Sequence, residues 1–307
     1  NLLKNNYKFL SNSDAEVAVN AYHFWGKNFL KKLDGQFAIF VLNTTSNEGL
    51  IARDKHGIAP LYYSLNKNRL FFSSSPTSIY KQLKLKIKIS KKGFTDFMVS
   101  SCLTENNTFF EQIKYLSPGN FIEFKINKFL KKPKSFLDNK EEKIATSDNV
   151  SKTIKKIGST LYKSVESRIS GDKKVGIFLS GGIDSVLLLS MYKRLHPNTK
   201  IKTFTAVFEN EESKTIVGEH KNVKKICKYY KSKNYLVKIR SGDLINYLKT
   251  SSYPSVGILE YCFKKLGETA KKNKTEVILS GEGADEMFFG YDHNLALIGI
   301  FKKKFNF

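Results

Sequence analysis

Cysteine is scarce in this chain. Three of the 307 residues are Cys, at positions 102, 227 and 262, widely spaced and with no histidine at metal-binding spacing. That pattern excludes a disulfide framework and a Cys/His zinc site, so packing is the expected role of Cys102, Cys227 and Cys262. Long apolar runs are missing as well. No stretch approaches the roughly 18–20 residues of a membrane span, and the opening NLLKNNYKFLSNSD has no apolar core of the kind a signal peptide carries. A cytoplasmic protein without a membrane role is therefore expected. Arginine is also rare: Arg53, Arg69, Arg168, Arg194 and Arg240 are the only five among 52 basic residues, although bidentate readers of phosphates and bases favour it.

What the chain has in excess is lysine. The net charge is +24, and such a charge invites a nucleic-acid partner. Yet the lysines fall in ones and twos through stretches such as KLKIKISKKG and KNVKKICKYYKSKNY. That distribution fits a composition bias filling solvated faces, with weak attraction to polyanions as the alternative, and no specific nucleic acid is expected. With 41% apolar and 13% aromatic residues over 307 positions, the chain can fill about two cores.

The texture changes once along the sequence. Short strand-like runs (GQFAIFVLN, GLIARD, APLYYSL, RLFFSSS, GNFIEFK) alternate with turn signals. A helical segment precedes them, SDAEVAVNAYHFWGKNFLKKL, which opens on a Ser-Asp capping signal. Residues 1–125 are thus expected to form an α+β domain, and the charged, irregular 126–149 a linker. From 150 to 307 the order becomes helix, strand, helix: VSKTIKKIGSTLYKSVESRI, KVGIFL, SVLLLSMYKRL, IKTFTAVF, KNVKKICKYYKSK, YLVKI, GILEYCFKKLGETAKKN, TEVILS. Strands alternating with helices predict an α/β domain with a doubly wound parallel sheet.

One turn in that domain concentrates chemistry. LSGGIDS, Leu179 to Ser185, joins the domain's first buried strand to the helix after it, the place where such folds bind ligands. Glycine amides and helix N-terminal N–H groups make an anion site, and Ser180 and Ser185 add hydroxyls. Asp184 among these donors is repulsive to an anion unless it holds a cation, so phosphate with bridging Mg²⁺ is the economical reading. The turn lacks the Gly-Lys-Ser/Thr ending of a Walker loop and the Gly-x-Gly-x-x-Gly of a dinucleotide turn. The plain alternative is a glycine-rich turn that caps a helix. A second strand with a glycine-loosened acidic turn, TEVILSGEGADEMFFGY from Thr275 to Tyr291, carries Glu282, Asp285 and Glu286. Alone it reads as an ordinary polar loop; paired with the first, it offers Asp285 opposite Asp184 as a second carboxylate for Mg–nucleotide chemistry.

The pair LSGGIDS and LSGEGADEMFFGY resembles the synthetase domain of the glutamine-dependent asparagine synthetases, an ATP-pyrophosphatase fold. Upstream, SDAEV, LDGQFAIFVLN, ARDKHGIAPLYYS and FEQIKYLSPGNFI are similar to that family's Ntn-type glutaminase domain, in the same order. The resemblance implies that Ser180, Gly181, Gly182, Asp184 and Ser185 form a pyrophosphate loop. It sets Leu179 and Ala206 beside the adenosine and Ser280-Gly281 on the nucleotide, and has Asp184 and Asp285 hold Mg²⁺. Glu282 would stand near an acyl-adenylate and handle ammonia's proton, or else serve as a structural acid in its turn. Asp14 would match a residue that binds the amino group of glutamine. ATP, Mg²⁺, glutamine or ammonia, and aspartate or another carboxylate would be the partners, and a homodimer is compatible with them.

Departures from the family pattern are equally specific. The family's catalytic N-terminal cysteine, arginine loop and Asn-Gly segment have no counterparts in the sequence, nor does the lysine that partners the Glu282 position. The expectation is a piece of a longer enzyme that by itself lacks glutaminase activity. Phe289 stands where the family has the first glycine of FGGY, and TSSYPSVGILEYC has no acidic residues leading into its helix, which leaves the acceptor open. Two other functions stay in view: the same adenylation on a different acid, as in β-lactam, peptide or sugar-acid amidation, and a non-catalytic scaffold.

Overall fold

A computed structural model describes residues 2–291 apart from 6, 67–68, 84–87, 127, 130–131, 138–148, 170, 172, 210–215, 218–219, 252–257 and 289. The chain divides into two compact units, Asn1–Lys143 and Ile144–Phe307. Among the described residues no helix is long and apolar enough to cross a membrane.

After a 3-10 turn at Leu3–Asn5, helix α1 (Asp14–Trp25) is capped by Ser13, whose hydroxyl accepts from the Ala15 N–H, and ended by Gly26. A 3-10 helix, Gly26–Lys32, follows and drops Phe29 and Leu30 into the core. Strands β1 (Ala38–Asn43), β2 (Glu48–Arg53), β3 (Tyr62–Asn66), β4 (Arg69–Ser73), β5 (Lys114–Tyr115) and β6 (Asn120–Lys125) come next, with helices α2 (Pro76–Leu83) and α3 (Lys91–Ser100) between β4 and β5. β1, β2 and β6 form an antiparallel sheet, and β4, β3 and β5 a smaller one. Leu50, Ala52 and Phe121 face one core with Ala21, Phe29 and Leu30, while Ile51 and Ile122 face another with Leu61, Tyr63 and Leu116. Because both faces are covered, β2 is buried from Gly49 to Arg53 instead of alternating.

Part of the predicted linker belongs to this unit. β7 (Lys128–Phe129) and β8 (Lys134–Ser135) both pair with β6, and Phe136 is buried against Phe37. Two-residue strands have no period to detect in a lysine-rich stretch, whereas a single buried phenylalanine is enough to hold the segment down. Between β2 and β3, Arg53 and Asp54 are both buried. The Arg53 guanidinium donates to the carbonyls of Ala59 (2.6 Å), Leu116 (2.8 Å) and Gly57, and stacks 3.8 Å from the centre of the Tyr115 ring. Asp54 accepts the N–H groups of His56 (3.0 Å), Ile58 (3.1 Å) and Ala59 (3.0 Å). Cys102 corrects the packing expectation: it is exposed just beyond α3, whereas Cys227 and Cys262 are buried. Ser101 ends α3 in the left-handed conformation and turns the chain outward there.

The second unit runs α4 (Val150–Ile169), β9 (Val175–Phe178), α5 (Ile183–Leu195), β10 (Lys202–Glu209), β11 (Ile216–Val217), α6 (His220–Tyr229), β12 (Lys233–Ile239), α7 (Ser241–Thr250), α8 (Ile258–Lys272), β13 (Val277–Leu279) and α9 (Ala284–Phe288). β12, β10, β9 and β13 lie side by side and parallel, as the helix–strand alternation predicts, and β11 adds an antiparallel pair at the end of β10. Helices cover both faces. Ile177, Leu179 and Leu279 pack with residues of α4, α5 and α6, while Phe204, Val237 and Ile239 pack with α8.

Candidate functional site

The chain passes from β9 outward through β10 to β12, then returns to place β13 on the other side of β9. The order of strands therefore reverses at β9, and the carboxyl ends of β9 and β13 lie where parallel sheets bind ligands. β13 is in register with β9, Leu279 beside Ile177. The two turns singled out in the sequence, Ser180–Ser185 and Ser280–Asp285, thus leave adjacent strands.

Apolar residues Val175–Phe178 hold β9 in the sheet, and the turn begins where the ladder stops. Leu179 donates its N–H to the Phe204 carbonyl at 2.9 Å, the end of backbone pairing on that side. Gly181 then takes a φ of 97°, a conformation that a side chain strongly disfavours, and Gly182 caps α5 without a side chain. Inside the turn, Ser180 Oγ accepts from the Gly182 N–H (3.2 Å), Ser185 Oγ donates to the Gly182 carbonyl (3.0 Å), and the Ser180 N–H donates to Ser185 Oγ (3.3 Å). Ser185 is buried while Ser180 and Gly182 are exposed, so the turn is braced from beneath and open above. Above it stand the unpaired first N–H groups of α5, the positive end of a 13-residue helix.

The second turn closes against the first. A methyl group added at Gly281 would lie 3.0 Å from Cβ of Asp184 and 3.3 Å from the Ser185 nitrogen, so any side chain there forces its neighbours to give by a few tenths of an ångström. Ser280 accepts the Glu282 N–H at 3.4 Å, and Asp285 lies in the first turn of α9. Asp184 and Asp285 are half-buried and Glu282 is exposed. Neither aspartate carboxylate accepts a hydrogen bond or ion pair from a described residue. A hard cation such as Mg²⁺ takes one or two protein carboxylates and completes its shell with phosphate oxygens and water, so either carboxylate has the chemistry to hold one, with Oδ1 of Asp285 packed against Gly290. Among the described residues no cluster of three His, Cys, Asp or Glu could hold a metal alone. Next to them the Tyr291 hydroxyl donates to Glu286 at 2.7 Å; that bond pushes Tyr291 up to about 12 and holds Glu286 below the usual carboxylate range.

The structure does not bring all expected residues together. Leu179 is 1% exposed, with its side chain in the core under α5, and Ala206 sits half-buried on the opposite face of the sheet. The backbone of Leu179 is engaged as well, its N–H with the Phe204 carbonyl and its carbonyl with the Thr205 hydroxyl, so Leu179 anchors the turn. Asp14 lies in the first unit, exposed at the start of α1. Its neighbour Glu16 is the anchor there, accepting the N–H groups of Leu10 and Ser11 at 2.7 Å each and the Ser11 hydroxyl at 2.5 Å. Phe289 and most of TSSYPSV fall outside the described residues.

Sequence reasoning missed a polar cluster under the turn. The Thr205 hydroxyl donates to the Leu179 carbonyl at 2.7 Å and lies 3.1 Å from Oδ1 of Asn234, which also takes the Thr203 hydroxyl at 2.9 Å. Thr203 and Thr205 are buried. Threonine is an ordinary strand residue, so the only available signal was two hydroxyls at alternate positions on a face otherwise apolar.

Comparison with known proteins gives this geometry a family. Residues 1–135 match the model of the glutamine amidotransferase domain, and residues 156–303 that of asparagine synthase. The glutamine-hydrolysing asparagine synthetase 1 of Bacillus subtilis (strain 168) is 30% identical over 301 residues, covering 93% of this chain and 44% of its own length. A putative glutamine-hydrolysing asparagine synthetase of Mycobacterium bovis is 27% identical over 293 residues (92% and 44%). Amidase chry2 of Gibberella zeae is 24% identical over 310 residues (94% and 45%). The chain thus spans less than half the length of these relatives. With both domains matched in order and relatives aligned over more than nine-tenths of its residues, the chain belongs to the glutamine-dependent asparagine synthetase family.

Proposed function

We propose that this chain is part of an asparagine synthetase-type ligase. Its second unit, a doubly wound ATP-pyrophosphatase fold, activates the side-chain carboxylate of aspartate with ATP; its first, an Ntn-type glutaminase fold, serves nitrogen transfer from glutamine. The boundary between them lies within 126–149. The observation that carries the proposal is the packing of Gly281 against Asp184, which joins the glycine-serine turn at the start of α5 to the acidic turn after β13.

A carboxylate is a poor electrophile at neutral pH. In this mechanism its oxygen attacks the α-phosphorus of ATP, the bond to the bridging oxygen breaks, and pyrophosphate leaves. Ammonia then adds to the acyl carbon of the adenylate, AMP departs, and one proton must go. The amides of Gly181 and Gly182, the Ser180 hydroxyl and the start of α5 hold the leaving phosphates. Ser280 and Gly281 border the nucleotide, and Glu282, exposed at the mouth, accepts the proton of ammonia. Asp184 and Asp285 would hold Mg²⁺, which when bound neutralises phosphate charge. The reagents place the reaction in the cytoplasm in this proposal, and a homodimer is the assembly to examine by sedimentation.

The test is Mg²⁺-dependent binding of a non-hydrolysable ATP analogue to Asp184→Asn and Asp285→Asn. Asp184→Asn is expected to weaken binding at least tenfold, about 1.4 kcal/mol, while loss of a helix-start charge costs the fold only about 0.3–1 kcal/mol. Unchanged affinity in both variants would refute the assignment. Pyrophosphate release with aspartate, compared with other carboxylates, then identifies the acceptor. A different acceptor within the same chemistry is the second reading, favoured by the lack of acidic residues in TSSYPSVG, the stretch leading into α8.

A further inference from the structure

At the end of β9 the chain must leave the sheet to expose its turn, and leaving the sheet orphans a carbonyl. Phe178 and Phe204 are the last residues paired between β9 and β10. The Leu179 N–H still reaches the Phe204 carbonyl at 2.9 Å, but the Leu179 carbonyl receives the Thr205 hydroxyl at 2.7 Å in place of a ladder N–H. Asn234 of β12 is in register with Thr203, and its Oδ1 lies 2.9 and 3.1 Å from the hydroxyls of Thr203 and Thr205. Thr203 is 0% and Thr205 3% exposed, under a face otherwise filled by Ile177, Leu179, Leu189 and Val223. Polar groups buried in such a face are costly unless satisfied, and satisfied ones rigidify what they hold.

What they hold is the first peptide plane of the turn. The Leu179 carbonyl and the Ser180 N–H belong to one planar peptide unit and point in opposite directions. Fixing the carbonyl fixes the direction of the Ser180 N–H, which meets Ser185 Oγ at 3.3 Å and so sets the ring formed by Ser180, Gly182 and Ser185. Threonine suits the task because its branched β-carbon restricts χ1 and aims the hydroxyl.

We propose that Thr205, whose single hydroxyl proton goes to the Leu179 carbonyl in preference to the more distant Asn234 Oδ1, is a positioning residue for the nucleotide-binding turn, acting through that carbonyl. This rests on the nucleotide-site reading above. It separates phosphate recognition, which depends on the direction of the turn's amides, from adenosine recognition, which does not.

The experiment titrates the full chain with a non-hydrolysable ATP analogue plus Mg²⁺ and, separately, with adenosine. Thr205→Val keeps the shape and removes the hydroxyl. It is expected to weaken triphosphate binding about tenfold and leave adenosine within about twofold, while Thr205→Ser recovers most of the triphosphate affinity. Equal triphosphate affinity in wild type and Thr205→Val overturns the proposal, and so does an equal loss for both ligands, which marks a merely structural role. Should Thr205→Val fail to fold, Thr205→Ala decides: a fall of about tenfold confined to the triphosphate supports the proposal, and its absence sinks it. A wild-type chain that binds neither ligand brings down the nucleotide-site reading and this role together, whereas normal wild-type binding with an unselective variant removes this role alone.

Discussion

Arg53 and Asp54 show how two neighbouring charges can be buried without depending on each other. Backbone carbonyls satisfy the guanidinium and backbone N–H groups the carboxylate, so the loop from Lys55 to Pro60 is fastened by donors and acceptors from one dipeptide. Burial works against the charge of Asp54, but the hydrogen bonds from Ala59, Ile58 and His56, with the backbone of Phe37, outweigh it and hold its carboxyl below the ordinary 3.8. A lowered carboxylate pKa stabilises the fold above the unfolded value, and that contribution is lost as the pH falls through the folded one. Asp54→Asn is therefore expected to cost about 1–3 kcal/mol at neutral pH, because an amide nitrogen would face a backbone donor. It should also flatten the acid-side loss of stability. Urea unfolding at neutral and acid pH checks both, and an unaltered acid limb in the variant would contradict the assignment. The motif ARDKHGIAPLYYS was legible by resemblance, but that its two charges face backbone was not, since nothing in one dimension tells a solvated Arg-Asp from a buried one.

Among the elements, Gly281 is the most exacting. Gly281→Ala must push either Asp184 or the first turn of α5 by a few tenths of an ångström, and overpacking of this kind typically costs about 1–3 kcal/mol. Because the displaced atoms border the glycine-serine turn proposed to hold phosphate, loss of ATP-analogue affinity is expected to exceed the loss of thermal stability; a variant that melts early yet binds normally would show the contact to be structural only. Elements with a clear period were legible: α4, α5, α8 and the parallel strands fall where the apolar spacing puts them. β11, β7 and β8 were not, since a two-residue strand has no period. α7 was also passed over: in Ser241–Thr250 the sequence signals little, and among its described side chains the helix packs Leu244 and Tyr247 against the core. The contact between the two turns depends on strand order, which local sequence does not carry.

At the scale of the molecule, α6 shows lysines set on a solvated face. In α6, Val223 and Cys227 are buried while Lys221, Lys224, Lys225 and Lys228 are exposed. Attraction to nucleic acid should then be weak, indifferent to sequence and reduced by orders of magnitude between low salt and about 0.2 M, whereas ATP-analogue binding by a preformed turn should change far less. Titrating labelled RNA and the analogue across the same salt series tests this, and sequence-selective RNA binding that survives about 0.2 M salt would overturn it. The placement of β13 has a consequence for how the protein is made. β9 emerges from the ribosome long before its neighbour, for Val175 pairs with Val277, and synthesis proceeds from the N-terminus. Until Val277–Leu279 is out, the β9 edge stands open, a template for pairing with other chains. The nascent chain thus carries an open sheet edge and an unfinished pair of turns at the same place, and one late strand closes both at once.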